Sequence, residues 1–226
     1  MSYAYATQAR RTATHHGNAY HALYALPLRA VAPDLIGIVG FSDLASPLLP
    51  LVQVTAPAAL AAPMQLQAYG NTNITAALKM ADAWLCGLPR HIVRRVCLIA
   101  DGEPNRETES LNQAVSAMRA HYVSIDSIFC GTSGAGEAIL RNISTATVGG
   151  HFHSATSYQA LTDLVTSASA RIHRRQGATV IVVDCSSSMN EAMPGGGGTR
   201  IGAAIKACQS VVLVKRVAFN RVGANA

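Results

Sequence analysis

The sequence predicts an α/β fold with three layers, in which a mainly parallel central sheet carries helices on both faces. Short β-branched runs alternate along the chain with stretches of helical period, which is typical of strands joined by crossover helices. Runs such as LIGIVGF and TVIVVD are also apolar at nearly every position. This composition indicates central strands whose two faces are both covered by helices.

Periodicity places the individual elements. β-branched or apolar runs predict strands at Ile36 to Ser42, Leu49 to Thr55, Val93 to Ala100, Val123 to Phe129, His151 to Ala155 and Thr179 to Asp184. Apolar residues at helical spacing predict helices over Ile74 to Leu85, Leu111 to Met118, Leu161 to Ala168, and from an N-cap at Thr199 to a point before Asn220. Residues 1 to 33 have weak periodicity and are predicted to be an N-terminal extension of a domain formed by residues 34 to 226.

The composition is that of a globular protein in a reducing compartment. The chain has 226 residues, of which 50% are hydrophobic and 13% are charged, a size that suits one α/β core. No apolar run approaches the roughly 20 residues that cross a bilayer, and the N-terminus lacks a continuous apolar signal segment. We therefore expect a soluble, cytoplasmic protein without a membrane partner.

The cysteines have no CxxC spacing and are expected to be small buried hydrophobes: Cys86, Cys97, Cys130, Cys185 and Cys208.

Two carboxylates follow buried strands at the edge of the sheet where ligands bind in open α/β folds. Asp184 comes after TVIVV, and Asp101 comes after VCLIA. Asp184 also begins an alternating series with Ser186 and Ser188, and an extended backbone aims all three side chains the same way while Cys185 points away. Carboxylate and hydroxyl oxygens are ligands that Mg²⁺ or Mn²⁺ prefers. The sequence therefore predicts a divalent-metal site at this edge.

Three motifs together resemble the metal-ion-dependent adhesion site of von Willebrand factor type A domains: VIVVDCSSSM, GNTNITAAL and CLIADGEPN. The resemblance implies that Ser186, Ser188 and Thr72 bind the ion through their hydroxyls. It implies that Asp184 and Asp101 bind it directly or through water, and that a Glu or Asp carboxylate of a protein partner completes the shell. IGIVGFSD and GGHFHSA also resemble strands of this family, so the resemblance spans roughly residues 34 to 219.

The order of the motifs departs from the family pattern, in which the Asp-x-Ser-x-Ser strand and its helix come first. Here they come last, at residues 179 to 219, and we infer a circular permutation closed by the short link His173 to Ala178. Two alternatives stay open. The sequence could span parts of two tandem domains, or two chains could exchange the C-terminal strand and helix, so that the protein is a monomer or a domain-swapped dimer.

The expected function is a metal-dependent protein-binding module without enzymatic activity and without a nucleic-acid partner. A metal-assisted hydrolase or phosphoryl-transfer enzyme is the first alternative, but the sequence has no GxSxG motif and no histidine within the site motifs. A structural component of a larger assembly with a vestigial site is the second. The net charge of +6 could favour an acidic partner or belong to an ordinary solvated face.

Some site residues also have simpler interpretations. Thr72 or Asn73 could cap the helix that begins near Ile74, and Asp184, the serines or Asp101 could belong to ordinary turns. His151 and His153 alternate on a strand, but no third soft ligand is spaced to complete a metal site with them. The glycines at 195 to 198 lack the lysine of a phosphate-binding loop.

Overall fold

The structure is a computed structural model that describes residues 32–102, 104–106, 108–132, 134–169 and 176–224. Apart from its last two residues, the predicted extension lies outside these ranges. The described strands are β1 (Leu35–Phe41), β2 (Ala45–Gln53), β3 (Val93–Ala100), β4 (Val123–Phe129), β5 (Phe152–Ser154) and β6 (Gly177–Asp184). The described helices are α1 (Ala58–Ala61), α2 (Ile74–Cys86), α3 (Leu111–Ala120), α4 (Gly134–Thr145), α5 (Tyr158–Ser169) and α6 (Arg200–Ala224).

The strands form one mixed sheet in the order β2-β1-β6-β3-β4-β5. Only the pairing of β1 with β2 is antiparallel in the described sheet. Strand β6, the last of these strands in the chain, lies between β1 and β3 and pairs in parallel with both. Every residue of β6 is buried, as expected for a central strand whose two faces are covered.

Helices cover both faces of the sheet, which confirms the predicted three-layer α/β fold. Along β6, Ile181 and Val183 pack in one core with α5 and α6, whereas Val180 and Val182 pack in a second core with α2, α3 and α4. Alternate side chains of a strand point to opposite faces, so one apolar run supplies both cores.

The described elements correct the predicted boundaries in a few places. Strand β2 begins at Ala45 rather than Leu49. Pro47 and Pro50 weaken the strand pattern in the sequence, but prolines are tolerated in an edge strand such as β2. Helix α4 was not predicted, since only Leu140 and Ile143 carry large buried apolar side chains within it. The prediction that the last helix ends before Asn220 is wrong. No proline follows that asparagine, and the helix continues through Gly223 to Ala224.

Helix α6 is anchored to the sheet in its C-terminal half. Lys215 Nζ lies 2.6 Å from Asp34 Oδ2 just before β1. The Arg216 guanidinium donates to the backbone carbonyls of Val54 at 2.7 Å and Ala56 at 2.6 Å.

No helix in the described part of the chain is long and apolar enough to cross a bilayer.

Truncating a side chain of β6 should destabilise the whole domain. Ile181 is fully buried between β1 and β3, so Ile181→Ala should lower the free energy of unfolding by about 2 to 5 kcal/mol through lost burial and a cavity. Urea unfolding measures this change. Leu213→Ala removes a leucine that is 51% exposed on α6 and should cost much less. Equal losses for the two variants would contradict a central position for β6.

Candidate metal site

The candidate site lies at the carboxyl ends of β1, β6 and β3. Asp184 is the last residue of β6 and lies opposite Phe41 of β1, while Asp101 directly follows β3. The loop before α2 is joined to the loop after β6, because Ser187 donates through both its backbone N and its Oγ to the Gly70 carbonyl at 3.1 Å. The sheet therefore brings segments distant in sequence to one edge.

Four predicted site residues form a continuous hydrogen-bonded series. Ser188 Oγ donates to Asp101 Oδ1 at 2.9 Å, and Ser186 Oγ lies 3.0 Å from Ser188 Oγ. A hydroxyl has one hydrogen to donate, so Ser188 gives its hydrogen to Asp101 and accepts that of Ser186. Asp184 Oδ1 accepts from the backbone N of Ser186 at 2.8 Å. These contacts define the geometry, whereas the role of each residue as a metal ligand stays a prediction.

Thr72, the fifth predicted residue, is buried and held by Asn105. The Thr72 backbone N donates to Asn105 Oδ1 at 2.9 Å, and the Asn105 backbone N donates to the Thr72 carbonyl at 3.1 Å. The side chain of Asn73, not that of Thr72, caps α2 by accepting from the backbone N of Ala76 at 2.9 Å. Sequence analysis missed Asn105 of the CLIADGEPN motif, and this reciprocal pairing shows that Asn105 joins the Thr72 loop to the Asp101 loop.

Asp184 has a buried carboxylate oxygen without a hydrogen-bond partner in the described part of the chain. Its carboxyl is fully buried, and its Oδ2 has no hydrogen-bond partner among the described residues. Burial raises the pKa of Asp184 to about 7; the nearby Asp101 adds to the rise, and the backbone N–H of Ser186 opposes it. A buried carboxylate oxygen without a partner is costly. An orphaned oxygen beside a second carboxylate and serine hydroxyls therefore fits a hard divalent cation.

Arg200 also belongs to the site, although sequence analysis missed it. It is the first residue of α6, and its Nη1 donates to Asp101 Oδ2 at 2.7 Å. Its Nη2 lies 2.9 Å from Glu191 Oε2. One signal could have revealed it, since a cation at a helix N-terminus opposes the helix dipole and is best explained there by a nearby anion.

Gly131 allows the loop after β4 to approach Asp101 closely. A Cβ at this position would lie 1.9 Å from the backbone carbonyl oxygen of Asp101. The contact is with backbone, so it cannot be relieved by rotating a side chain. Gly131 thus fixes the position of the peptide that carries this carboxylate.

Most of the cysteine side chains lie in the hydrophobic cores. Cys185 packs in the core shared with α6, as predicted, and Cys97, Cys130 and Cys208 are buried as well. Cys86 is exposed, contrary to expectation, because it ends α2 on the solvent side. Across the described ranges, no group of three or more His, Cys, Asp or Glu side chains could hold a metal ion, and this includes the two histidines before and within β5.

Comparison with known proteins identifies one family. The profile of the von Willebrand factor type A domain matches residues 32–167. No curated protein sequence matches the chain significantly. A crystal structure titled as an uncharacterized membrane spanning protein from Vibrio fischeri is 19% identical, over 62% of this chain and 76% of that chain, with a TM-score of 0.31. A score of that size establishes neither a shared fold nor a shared function.

Filling the space at Gly131 should disturb the site. Gly131→Ala should lower the free energy of unfolding by about 1 to 3 kcal/mol, because the peptide of Asp101 must shift to admit the methyl group. Gly134→Ala is the matched control, since a Cβ there meets nothing within 4 Å. Urea unfolding of the two variants measures the difference. If Gly131→Ala is as stable as Gly134→Ala, the close approach to Asp101 is wrong.

Proposed function

The chain belongs to the von Willebrand factor type A domain family, and from that premise we propose that it is a divalent-metal-dependent protein-binding module. It captures an acidic group of a partner protein through an adhesion-type metal site. The observation that carries this proposal is the hydrogen-bonded series of Asp184, Ser186, Ser188 and Asp101 at the carboxyl edge of the sheet, together with the unpartnered buried oxygen of Asp184.

In this proposal the ion is Mg²⁺ or Mn²⁺, and its ligands are Asp184, Ser186, Ser188, Thr72 and Asp101. The bound ion supplies an open position for a Glu or Asp carboxylate of the partner protein. This chain contributes carboxylate and hydroxyl oxygens that are already arranged before the ion binds. Ser186 and Ser188 are already in mutual contact, and the pairing of Thr72 with Asn105 holds a third hydroxyl-bearing residue beside the Asp101 loop.

We also propose that the order of elements is a circular permutation within a domain of residues 34 to 226. Two findings support it. The family profile ends at residue 167, before β6 and α6, and β6 nevertheless lies between β1 and β3. The mass in solution tests this directly. A monomer that binds Mg²⁺ fits the permutation, whereas an obligate dimer favours exchange of β6 and α6 between two chains.

Asp184 tests the metal site with a variant that should still fold. Asp184→Asn keeps the shape of the side chain but removes the buried charge, so at pH 8 the free energy of unfolding without metal should be unchanged or higher. Its affinity for Mg²⁺ should fall by about a hundredfold or more, because a charged ligand is lost. Isothermal titration calorimetry measures the affinity.

Asp163→Asn is the matched control, because it removes one carboxylate from the exposed surface of α5 and should leave Mg²⁺ binding unchanged. A folded Asp184→Asn protein that binds Mg²⁺ as tightly as the parent would refute the proposed site. Mg²⁺-dependent hydrolysis of a simple phosphoester by the parent protein, lost in Asp184→Asn, would instead favour the hydrolase.

Capture of the partner should depend on the same ion. A pull-down from a lysate of the source cells, performed with Mg²⁺ and repeated with a chelator, should retain a protein only in the presence of the ion. The Asp184→Asn protein should retain nothing under either condition. Retention that survives both the chelator and the substitution would show that binding uses another surface.

A further inference from the structure

A buried guanidinium lies directly against the candidate metal ligands. Arg200 Nη1 contacts Asp101 Oδ2 at 2.7 Å, and the two side chains are 6% and 0% exposed. The same nitrogen also lies 3.3 Å from the Ser188 carbonyl oxygen. The contact joins Asp101, which lies within the residues matched by the family profile, to α6, which lies beyond them.

Both carboxylate oxygens of Asp101 have a donor. Its Oδ1 accepts from the Ser188 hydroxyl, and its Oδ2 accepts from Arg200. A cation that bound Asp101 directly would therefore have to share the carboxylate with these donors or replace one of them. The two resident donors differ in charge: the hydroxyl can turn its hydrogen elsewhere at little cost, but the guanidinium cannot lose its charge.

Arg200 also opposes a divalent ion electrostatically. It carries a full positive charge that is buried next to the Asp101 carboxylate, where solvent screens it weakly. Its position at the first turn of α6 is unfavourable to a cation. The buried Asp101 carboxylate offsets that cost. Arg200 at this position therefore compensates the negative charge of Asp101.

We propose that Arg200 is the internal counter-ion of the metal site: it neutralises Asp101 in the metal-free protein and lowers the affinity of the site for a divalent ion. This inference rests on the proposed metal-binding function. Arg200 stabilises the buried Asp101 carboxylate near Asp184 in the metal-free protein. When an ion is bound, Arg200 weakens the interaction between the ion and Asp101. Glu191, whose side chain is 65% exposed, gives Arg200 a second anionic partner that it keeps when Asp101 turns to the ion.

Removing the charge of Arg200 should separate folding from metal binding. Without metal, Arg200→Gln should unfold at a lower temperature than the parent, because it leaves a buried carboxylate without its cation. Its dissociation constant for Mg²⁺ should nevertheless be about tenfold lower than that of the parent, because a like charge has been removed. Saturating Mg²⁺ should raise its melting temperature by more than it raises that of the parent.

Two control variants isolate the charge next to Asp101. Arg200→Lys keeps the positive charge and should bind Mg²⁺ within about threefold of the parent. Glu191→Gln removes only the exposed partner of Arg200 and should also change the affinity by no more than about threefold. Calorimetry with Mg²⁺ alone, and thermal unfolding with a chelator or with Mg²⁺, measure all four proteins.

The outcomes distinguish this inference from the proposed function. If the parent binds Mg²⁺ and Arg200→Gln binds it equally or more weakly, the counter-ion inference is wrong while the metal site stands. If neither protein binds Mg²⁺, both fail. If Arg200→Gln is unfolded without metal, refolding on addition of Mg²⁺ supports the inference, and failure to refold at saturating Mg²⁺ overturns it.

Discussion

The pairing of β6 with β1 on one side and β3 on the other is the interaction on which the rest of the structure depends. Strand β6 satisfies backbone groups on both neighbours, which would otherwise present unpaired edges in the middle of the sheet. It also contributes apolar side chains to both cores. The last described strand therefore completes the sheet, and the site at its carboxyl end cannot form before this strand docks.

Helix α6 extends this dependence along the domain. Arg200 joins its first residue to Asp101 at the carboxyl edge, and Lys215 joins it to Asp34 before β1. Ion pairs that are largely buried contribute little net stability, because desolvating the charges offsets their attraction, but losing one partner is costly. These pairs therefore fix how α6 is placed on the sheet more than they add to its stability. The same helix thus sets both the packing of one core and the charge balance of the site.

The candidate site concentrates polar groups where a purely structural domain would place apolar ones. Asp184 is buried with one oxygen unpartnered, and its raised pKa reflects the cost of holding a charge there. Asp101, in contrast, accepts a hydrogen bond on each oxygen, from Ser188 and from Arg200. One carboxylate is compensated by the protein itself and the other keeps an unpartnered oxygen, a pattern typical of sites that give up stability for function.

The sequence alone determined the fold class, because uninterrupted apolar runs such as that of β6 require helices on both faces. It also placed Asp184, Ser186 and Ser188 in one motif, but the extended backbone predicted for all three ends at Ser186, because Ser187–Asn190 forms a 3-10 helix. It could not show that Arg200 contacts Asp101, 99 positions away, nor that Asn105 holds Thr72. Those contacts are decided by which loops meet at the sheet edge, and that depends on the strand order. The edge strand β2 and helix α4 were likewise settled by pairing and burial, because tertiary contacts outweigh weak local patterns.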